Sequence, residues 1–519
     1  MRSPKTKRVR RARPSILSAR LSPNVALEAH ASGEVVACFH GHSVSLGKLS
    51  ADAVDRAQEL RVGLPLGSFG SNSRNMEIHL LVRRLATHGL LEYRLGRSQS
   101  GEDLVVIEPQ VPDYWPRMLP LPETDTLVLS RFAYMRRRGN EIVVESPRAA
   151  ALFKLCNPKI ATTLAIFSTP QQVKRLRQHD AFPGVEFLAL LVACQILFKT
   201  KTASDRLRAA EGDADLVLWD FHDLLFHTRS TEGRHANPIG GVYPYARVIS
   251  SPPAVRPSWP GKKIPLCKFS AVQQETISFG RLLRQRHSTR NFDDQRPITL
   301  EELSRFLEGT APVLSEISSQ LEFGEDGASI TYAPRPYPSA GACYELELYL
   351  TVDKCEGLAR GFYHYDAGEH ALVPIEVLST QLEAALMRAA FAMGAPAPPQ
   401  VLITIAARFA RVSWKYSAIA YELVLKDVGV LMQTFYLMAT DMGLGGCAIG
   451  IVNIDLFSKM TGIDFHVEGP VGQFAMGRGI ESPTPPLLES HPPTHSFVQA
   501  ETKTAGSRDA TGAKRTIAL

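Results

Sequence analysis

Apolar and polar positions change rhythm along the chain, and the changes mark out its elements. From Asn75 to His88 apolar residues recur at helical spacing. They give way to a strand-like run, Leu90 to Leu95, a turn at Gly101-Glu102 and a second strand, Asp103 to Ile107. The same order returns about 110 residues later as a helix Gly184 to Cys194, a strand Ile196 to Lys199, a turn near Gly212 and a strand Asp215 to Phe221. A helix followed by a two-stranded wing, twice over, predicts tandem winged-helix-like units across residues 26–249. Between them Val128 to Arg136 and Glu141 to Glu145 read as a hairpin about Arg138-Gly139-Asn140.

The second half alternates differently. A helix, Ala271 to Gln285, precedes the segment RHSTRNF, and another opens at Thr299, whose side chain with Glu302 three residues on forms a capping box. Tyr344 to Val352 places Tyr344, Leu346, Leu348, Leu350 and Val352 on one face and Glu345 and Glu347 on the other, the signature of a half-buried strand. Phe362 to Tyr365 and Leu372 to Ile375 pair about Ala367-Gly368, and Gln400 to Ala406 is a buried strand. One long helix follows from Ser413 to Met442, with Gly443 placed to end it. Residues 269–481 thus predict an α+β domain with a central mixed sheet flanked by helices.

Composition narrows the picture. Of the 519 residues 45% are hydrophobic and 21% charged, enough apolar material for packed cores, which excludes wholesale disorder. Eight Lys or Arg and no acid fall within the first twenty residues, so the net charge of +6 belongs to that end and the remainder is net acidic. The charge therefore argues little for nucleic-acid binding. Phe187 to Phe198 is the longest apolar run, broken by Gln195 and short of the roughly 20 residues a membrane span needs. Seven cysteines, never spaced C-x-x-C, and no apolar stretch behind the basic N-terminus predict a reduced, cytoplasmic setting. Residues 1–25 and 482–519 read as disordered tails, and 250–268, with five prolines in nineteen residues, as an extended linker.

Three segments could carry chemistry. If Arg286-His287-Ser288-Thr289-Arg290 is extended, Arg286, Ser288 and Arg290 project to one side, two guanidinium forks beside a hydroxyl, a grouping suited to phosphate; a solvated basic turn is the plainer alternative. Pro338-Ser339-Ala340-Gly341 and Leu444-Gly445-Gly446-Cys447 offer bare backbone against which a flat ring could lie, or are ordinary turns. Arg478, in Gly477-Arg478-Gly479, could add a third cation. Cys38, His40 and His42 alternate on a strand but lack a fourth metal ligand, and His222, His227 and His235 lack metal-like spacing, so no metal site is expected.

Taken together these segments resemble a known family. Arg286 to Arg290 is similar to the R-[RH]-S-x-R signature of the FMN-dependent nitroreductase superfamily, and PSAG, the helix ending in GLGG, and GRG stand at its later landmarks. Trp414-Lys415-Tyr416-Ser417, Ala420-Tyr421-Glu422-Leu423 and Asp427-Val428-Gly429 resemble the SagB/ThcOx branch, the azoline dehydrogenases of thiazole- and oxazole-modified peptides. Trp219-Asp220-Phe221-His222-Asp223 through Phe226-His227-Thr228-Arg229-Ser230 extends that likeness into the first half.

The resemblance implies FMN, its phosphate among Arg286, Ser288, Arg290 and Arg478 with His287 beside it, and Pro338, Ser339, Ala340, Gly341, Gly445 and Gly446 along the isoalloxazine. It implies Lys415 and Tyr416 as candidates for the base, with their proton affinities pulled toward neutrality by burial and by each other; Tyr421 and Asp427 are expected to pack or pair within the helix. The implied partners are a precursor peptide, a cyclodehydratase and a second copy in a homodimer. Two other readings compete: an NAD(P)H-dependent nitro or quinone reductase, and a winged-helix DNA-binding protein with a degenerate flavin domain.

Overall fold

Strands Leu346–Val352 and Val401–Arg408 form the centre of the second half, and every residue of both is buried. In the computed structural model, which describes residues 15–480 apart from 40–41, 69–72, 99–100, 177–182, 201–210, 212–214, 234, 237–239, 247, 270–277 and 321–328, these strands belong to a seven-stranded sheet. Its strands are β1 (Ile264–Pro265), β2 (Leu346–Val352), β3 (Gly361–Asp366), β4 (Ala371–Ile375), β5 (Val401–Arg408), β6 (Gly445–Ile449) and β7 (Glu468–Gly477), in the order β1-β4-β3-β2-β5-β7-β6. A mixed sheet was expected, but every adjacent pair is antiparallel. β5 and β6 run the same way, and β7 lies between them.

Helices cover both faces. Leu348 and Leu350 pack with Leu303 and Phe306 of α2 (Leu300–Thr310) and Leu431 and Phe435 of α5 (Ala420–Asp441). Tyr349 points the other way, against Leu382 of α3 (Ser379–Met393) and Phe457 of α6 (Ile454–Thr461). Burial on both faces explains why the alternation in the sequence misleads: Glu345 and Glu347 have no solvated side to occupy and are 0% and 1% exposed. Glu347 instead lies 3.1 Å from Arg408, 3.4 Å from Arg335 and 3.5 Å from His364. Burial opposes its charge, but the two guanidiniums and the imidazole hold it down at about 2. Among the described residues only α5 is long and apolar enough to cross a membrane, and its Val424, Val428, Leu431, Phe435 and Ala439 are buried in this core.

The expected helix Ser413 to Met442 is broken. Phe409–Ser413 is a short helix, α4, and α5 starts only at Ala420, so Trp414 to Ile419 form a turn in which Ala418 has φ +64°. The capping box at Thr299 is formed: Thr299 Oγ1 accepts from Glu302 N at 3.1 Å and Glu302 Oε2 from Thr299 N at 2.9 Å. Of the helix expected from Ala271, Phe279–Gln285 (α1) is formed, and 271–277 lie outside the described residues.

The first half keeps the first helix-and-hairpin unit, Ser73–Thr87, Leu91–Gly96 and Asp103–Pro109. That hairpin is no free wing. Ile16–Leu21 pairs on one side and Ala151–Leu155 on the other, within a second seven-stranded antiparallel sheet. Ile16–Leu21, expected as part of an N-terminal tail, is therefore a strand, and residues 1–14 and 481–519 lie outside the described residues. The second unit lacks its wing. Asp215–Leu218 is a 3-10 turn leading into the helix Phe221–Arg229, capped by the Asp220 carboxylate on His222 N at 3.0 Å. Its partner strand Leu197–Thr200 pairs with Thr126–Leu129, which leaves Tyr134–Arg138 and Glu141–Glu145 as the hairpin. A four-residue apolar run does not distinguish strand from helix, which is how the tandem repeat failed. Gly212, the expected turn, and His40 lie outside the described residues.

The proline-rich segment is not a loose linker. Prolines leave carbonyls without a strand partner, and buried carbonyls require donors. Arg408 donates to Pro253 O and Ala254 O at 2.9 and 2.7 Å, Trp414 Nε1 to Ile249 O at 2.7 Å, and Arg411 to Pro252 O at 2.8 Å. Arg411, 3% exposed, also donates to Cys343 O and Thr331 O. Arg411→Met, similar in bulk but without donors, should therefore cost about 3 kcal/mol or more in urea unfolding, because three carbonyls lose their charged partner.

Candidate functional site

Two clusters of the sequence-predicted residues form, at opposite ends of α5. At the C-terminal end Thr289 N donates to Gly446 O at 2.8 Å, and a Cβ on Gly445 would sit 2.5 Å from Thr289 Cγ2. This contact seats Arg286 to Arg290 against the β6 backbone, and only a glycine admits it. Ser288 Oγ lies 2.8 Å from Tyr436 Oη, which accepts from Ala448 N at 2.8 Å, and the Arg286 guanidinium stands 5.1 Å from the Tyr436 ring centre. Exposed His287 bonds its own turn, Nδ1 to Gln285 O at 2.9 Å. Gln400 stitches the base of the cluster: Oε1 accepts from Ile298 N and Arg478 N at 2.9 and 3.0 Å, and Nε2 donates to Asp293 O at 2.6 Å.

The three expected cations are not equivalent. No carboxylate pairs with Arg286 or Arg290 among the described residues, whereas Arg478 donates to both oxygens of Glu302, at 2.6 and 2.8 Å. Glu302, the residue that caps α2, thus also takes up this guanidinium. Its carboxyl is held below its ordinary value; burial works against this, and the Thr299 backbone and Arg478 prevail.

At the N-terminal end of α5 the turn Ser339 to Gly341 meets Lys415 and Tyr416. Gly341 adopts φ +56°, and a Cβ there would lie 2.2 Å from Tyr416 Oη and 2.7 Å from Lys415 Nζ. Lys415 Nζ donates to Gly341 O at 2.9 Å. The ammonium stands 5.5, 5.6 and 5.8 Å from the ring centres of Tyr332, Tyr416 and Tyr243, within range of a cation–π attraction. Burial raises both Tyr332 and Tyr416 above the ordinary phenol value. Tyr416 therefore stands as a neutral phenol, not the phenolate that an adjacent ammonium was expected to favour.

The helix break creates this arrangement. Ser417 N donates to Gly240 O at 3.1 Å and Tyr243 N to Lys415 O at 3.0 Å, so backbone from the first half replaces the helical partners of Lys415 O and Ser417 N, while Lys415 N and Tyr416 N still bond Val412 O. Tyr243 pays with φ +49° and rests edge-on against Trp414. Sequence reasoning missed Tyr243 and Tyr332 because neither lies in a motif. It also misjudged Asp427, which bonds the turn: Oδ2 accepts from Ser339 Oγ at 2.8 Å, and its two oxygens take Ala340 N at 3.1 and 3.0 Å. Within the first-half motif, Trp219 stacks on His227 with ring centres 5.6 Å apart, and Asp220 caps the helix.

Two family models match the chain. The family model of the cyanobactin oxidase ThcOx matches residues 127–236, and that of the nitroreductase family residues 283–478. A nitroreductase-type protein of Methanocaldococcus jannaschii, MJ1384, is 32% identical over 209 residues, 40% of this chain and 94% of that protein. The trifolitoxin-processing protein TfxB of Rhizobium leguminosarum is 27% identical over 144 residues, 27% of this chain; the match spans 39% of TfxB's length. Among solved structures the Escherichia coli microcin synthetase McbBCD complex, with truncated pro-MccB17 bound, aligns at 20% identity and a TM-score of 0.32 over 48% of this chain and 84% of the other, too slight a likeness to argue from.

Gly341 and Gly394 share a left-handed backbone, φ +56° and +63°, but a Cβ at Gly394 meets nothing within 4 Å. Gly394→Ala should cost only the backbone strain, about 1 kcal/mol, while Gly341→Ala should cost more and displace Lys415. Thermal unfolding of the two variants checks the difference.

Proposed function

Since the chain belongs to the nitroreductase family of oxidoreductases and is of its SagB/ThcOx type, we propose that it is an FMN-dependent dehydrogenase converting thiazoline or oxazoline rings of a ribosomally made precursor peptide to thiazole or oxazole. The observation that carries the proposal is the contact of Lys415 and Tyr416 with the Gly341 turn, locked from behind by Gly240 to Tyr243 of the first half. An enzyme acting on a peptide needs its capture region joined to its chemistry, and the first half, read as that region, meets Lys415 and Ser417 through Tyr243 and Gly240.

The residues fit the cofactor. Arg286 and Arg290, without carboxylate partners among the described residues, and Ser288 suit its phosphate, with Arg478 a weaker candidate because Glu302 already neutralises it. Gly445 and Gly446 lack bulky side chains beside the phosphate cluster, where a flat ring system would lie, whereas Pro338 to Gly341, at the other end of the 22-residue α5, would reach that ring from the second copy of a homodimer. Bound there, FMN supplies the acceptor for the hydride that leaves the azoline.

Aromatising an azoline also removes a proton from the ring carbon next to the peptide carbonyl. Lys415 Nζ and Tyr416 Oη, side by side over the turn, are the atoms placed to take it, and whichever does so must first give up its own proton. Lys415 Nζ bonds Gly341 O and faces three aromatic rings, which positions it as an anchor for developing negative charge as well as a candidate proton carrier. Tyr243 orients Lys415 through its backbone N–H and through its ring, which faces the ammonium and rests on Trp414. The precursor peptide would reach the site from a cyclodehydratase, and two copies of the chain would act as a homodimer.

Purified protein should be yellow, and with an azoline peptide and an electron acceptor it should remove two hydrogen atoms per ring, read by mass spectrometry. Lys415→Ala should lower kcat by about 100-fold or more, and Tyr243→Ala should lower kcat while leaving FMN content unchanged. Colourless protein that gains no visible absorbance with FMN would overturn the proposal. Fast flavin reduction by NAD(P)H, indifferent to Lys415→Ala, would instead identify a nitro or quinone reductase.

A further inference from the structure

Asp427 is not the only carboxyl beneath the Ser339 turn. Glu345, 0% exposed, lies on the other side of the same hydroxyl: Ser339 Oγ is 3.2 Å from Glu345 Oε2 and 2.8 Å from Asp427 Oδ2. One hydroxyl donates one hydrogen, and that of Ser339 cannot satisfy both. Ser339 Oγ itself accepts from Tyr344 N at 3.0 Å, so its hydrogen is directed toward the carboxyls. Asp427 has a further donor, the Ala340 N–H. Glu345 has only its own backbone N–H besides, and its Oε1 is buried without a hydrogen-bond partner.

No cation pairs with either carboxyl among the described residues. Arg411 spends its guanidinium on the carbonyls of Cys343, Thr331 and Pro252, and Arg335 lies 3.4 Å from Glu347. The other titratable groups nearby are Cys343, Tyr337 and Tyr416, each raised by burial and neutral. Arg335 and Arg411 attract Glu345 from beyond pairing distance, and two ionised carboxylates against one hydroxyl with no cation in contact would still be strongly unfavourable.

We propose that Glu345 and Asp427 hold a single proton between them, and that the protonated pair is a positioning device for the Ser339–Gly341 turn on which Lys415 rests. Its value for catalysis rests on the functional reading above; the shared proton does not. Glu345 carries the proton and Asp427 remains the acceptor for Ser339 and the Ala340 amide, which fixes the turn and with it the Gly341 carbonyl that holds the Lys415 ammonium. Burial first, then the Asp427 charge, raise the Glu345 carboxyl to about 7, and burial raises Asp427 as well. Losing the proton leaves two charges facing one another and should loosen the turn.

Three measurements on the full-length protein test this. The infrared spectrum below neutrality should contain a protonated-carboxyl band that Glu345→Gln removes and that fades in the wild type as pH passes about 7. A group whose proton affinity is raised on folding binds a proton in the folded state that the unfolded state releases, so stability falls as pH rises from the ordinary value of 4.5 to about 7. Glu345→Gln lacks that loss, and its Tm should therefore rise relative to wild type across the same window. Hydrogen exchange of residues 338–344, corrected for its intrinsic pH dependence, should quicken above this window in the wild type and not in Glu345→Gln. An unchanged carboxyl band, a Tm difference independent of pH, or pH-independent exchange would overturn the proposal. Should the wild type bind no FMN, the functional reading fails while these three results still decide the shared proton.

Discussion

The site depends on one interruption. Were residues 413–442 a single helix, the backbone of Lys415 to Ser417 would be bonded within it, and the two side chains would follow its helical spacing. The strand-like bridge from Gly240 to Ser417 and the bond from Tyr243 to Lys415 supply the missing hydrogen-bond partners from outside, so the break costs little in unsatisfied backbone. Lys415 and Tyr416 are thereby turned onto Gly341. The first half is thus structurally part of the site, through its backbone and through the Tyr243 ring.

The same logic governs the proline-rich strap. Prolines remove donors while leaving acceptors, and the acceptors are met by Arg408, Arg411 and Trp414 from the segment that leads into the break. Arg411 joins the strap to Cys343 O, two residues beyond Gly341, so the turn bearing Gly341, the strap and the Lys415 segment are tied through one guanidinium. Buried charge is used elsewhere in the same domain for cohesion, as at Glu347, where two guanidiniums and an imidazole surround one carboxylate. At Glu345 no such cation is provided, and the electrostatic consequence is of opposite sign.

Periodicity made much of the second domain legible: the capping box at Thr299, the hairpin about Ala367-Gly368, the buried strand from Val401 and the helix end at Gly443 all follow from local pattern. It failed where a residue's surroundings come from distant sequence. Glu345 and Glu347 alternate with leucines as surface residues do, yet helices on both faces enclose them. Asp215 to Phe221 alternates like a strand, yet Asp220 caps a helix. The glycines of the PSAG and GLGG segments were visible as bare backbone, but what presses on them, Tyr416 and Thr289, was not.

Local chemistry, then, was enough to place the α+β domain and to single out the arginines and the bare glycine turns, because capping, spacing and backbone freedom act over a few residues; Lys415 and Tyr416 were singled out only by resemblance to the SagB/ThcOx branch. Which charges stand unpaired, where the long helix breaks, and that Tyr243 and Tyr332 surround Lys415 were settled by folding. Those outcomes depend on hydrogen-bond partners and counter-charges contributed by segments scores of residues away, whose proximity no local pattern records.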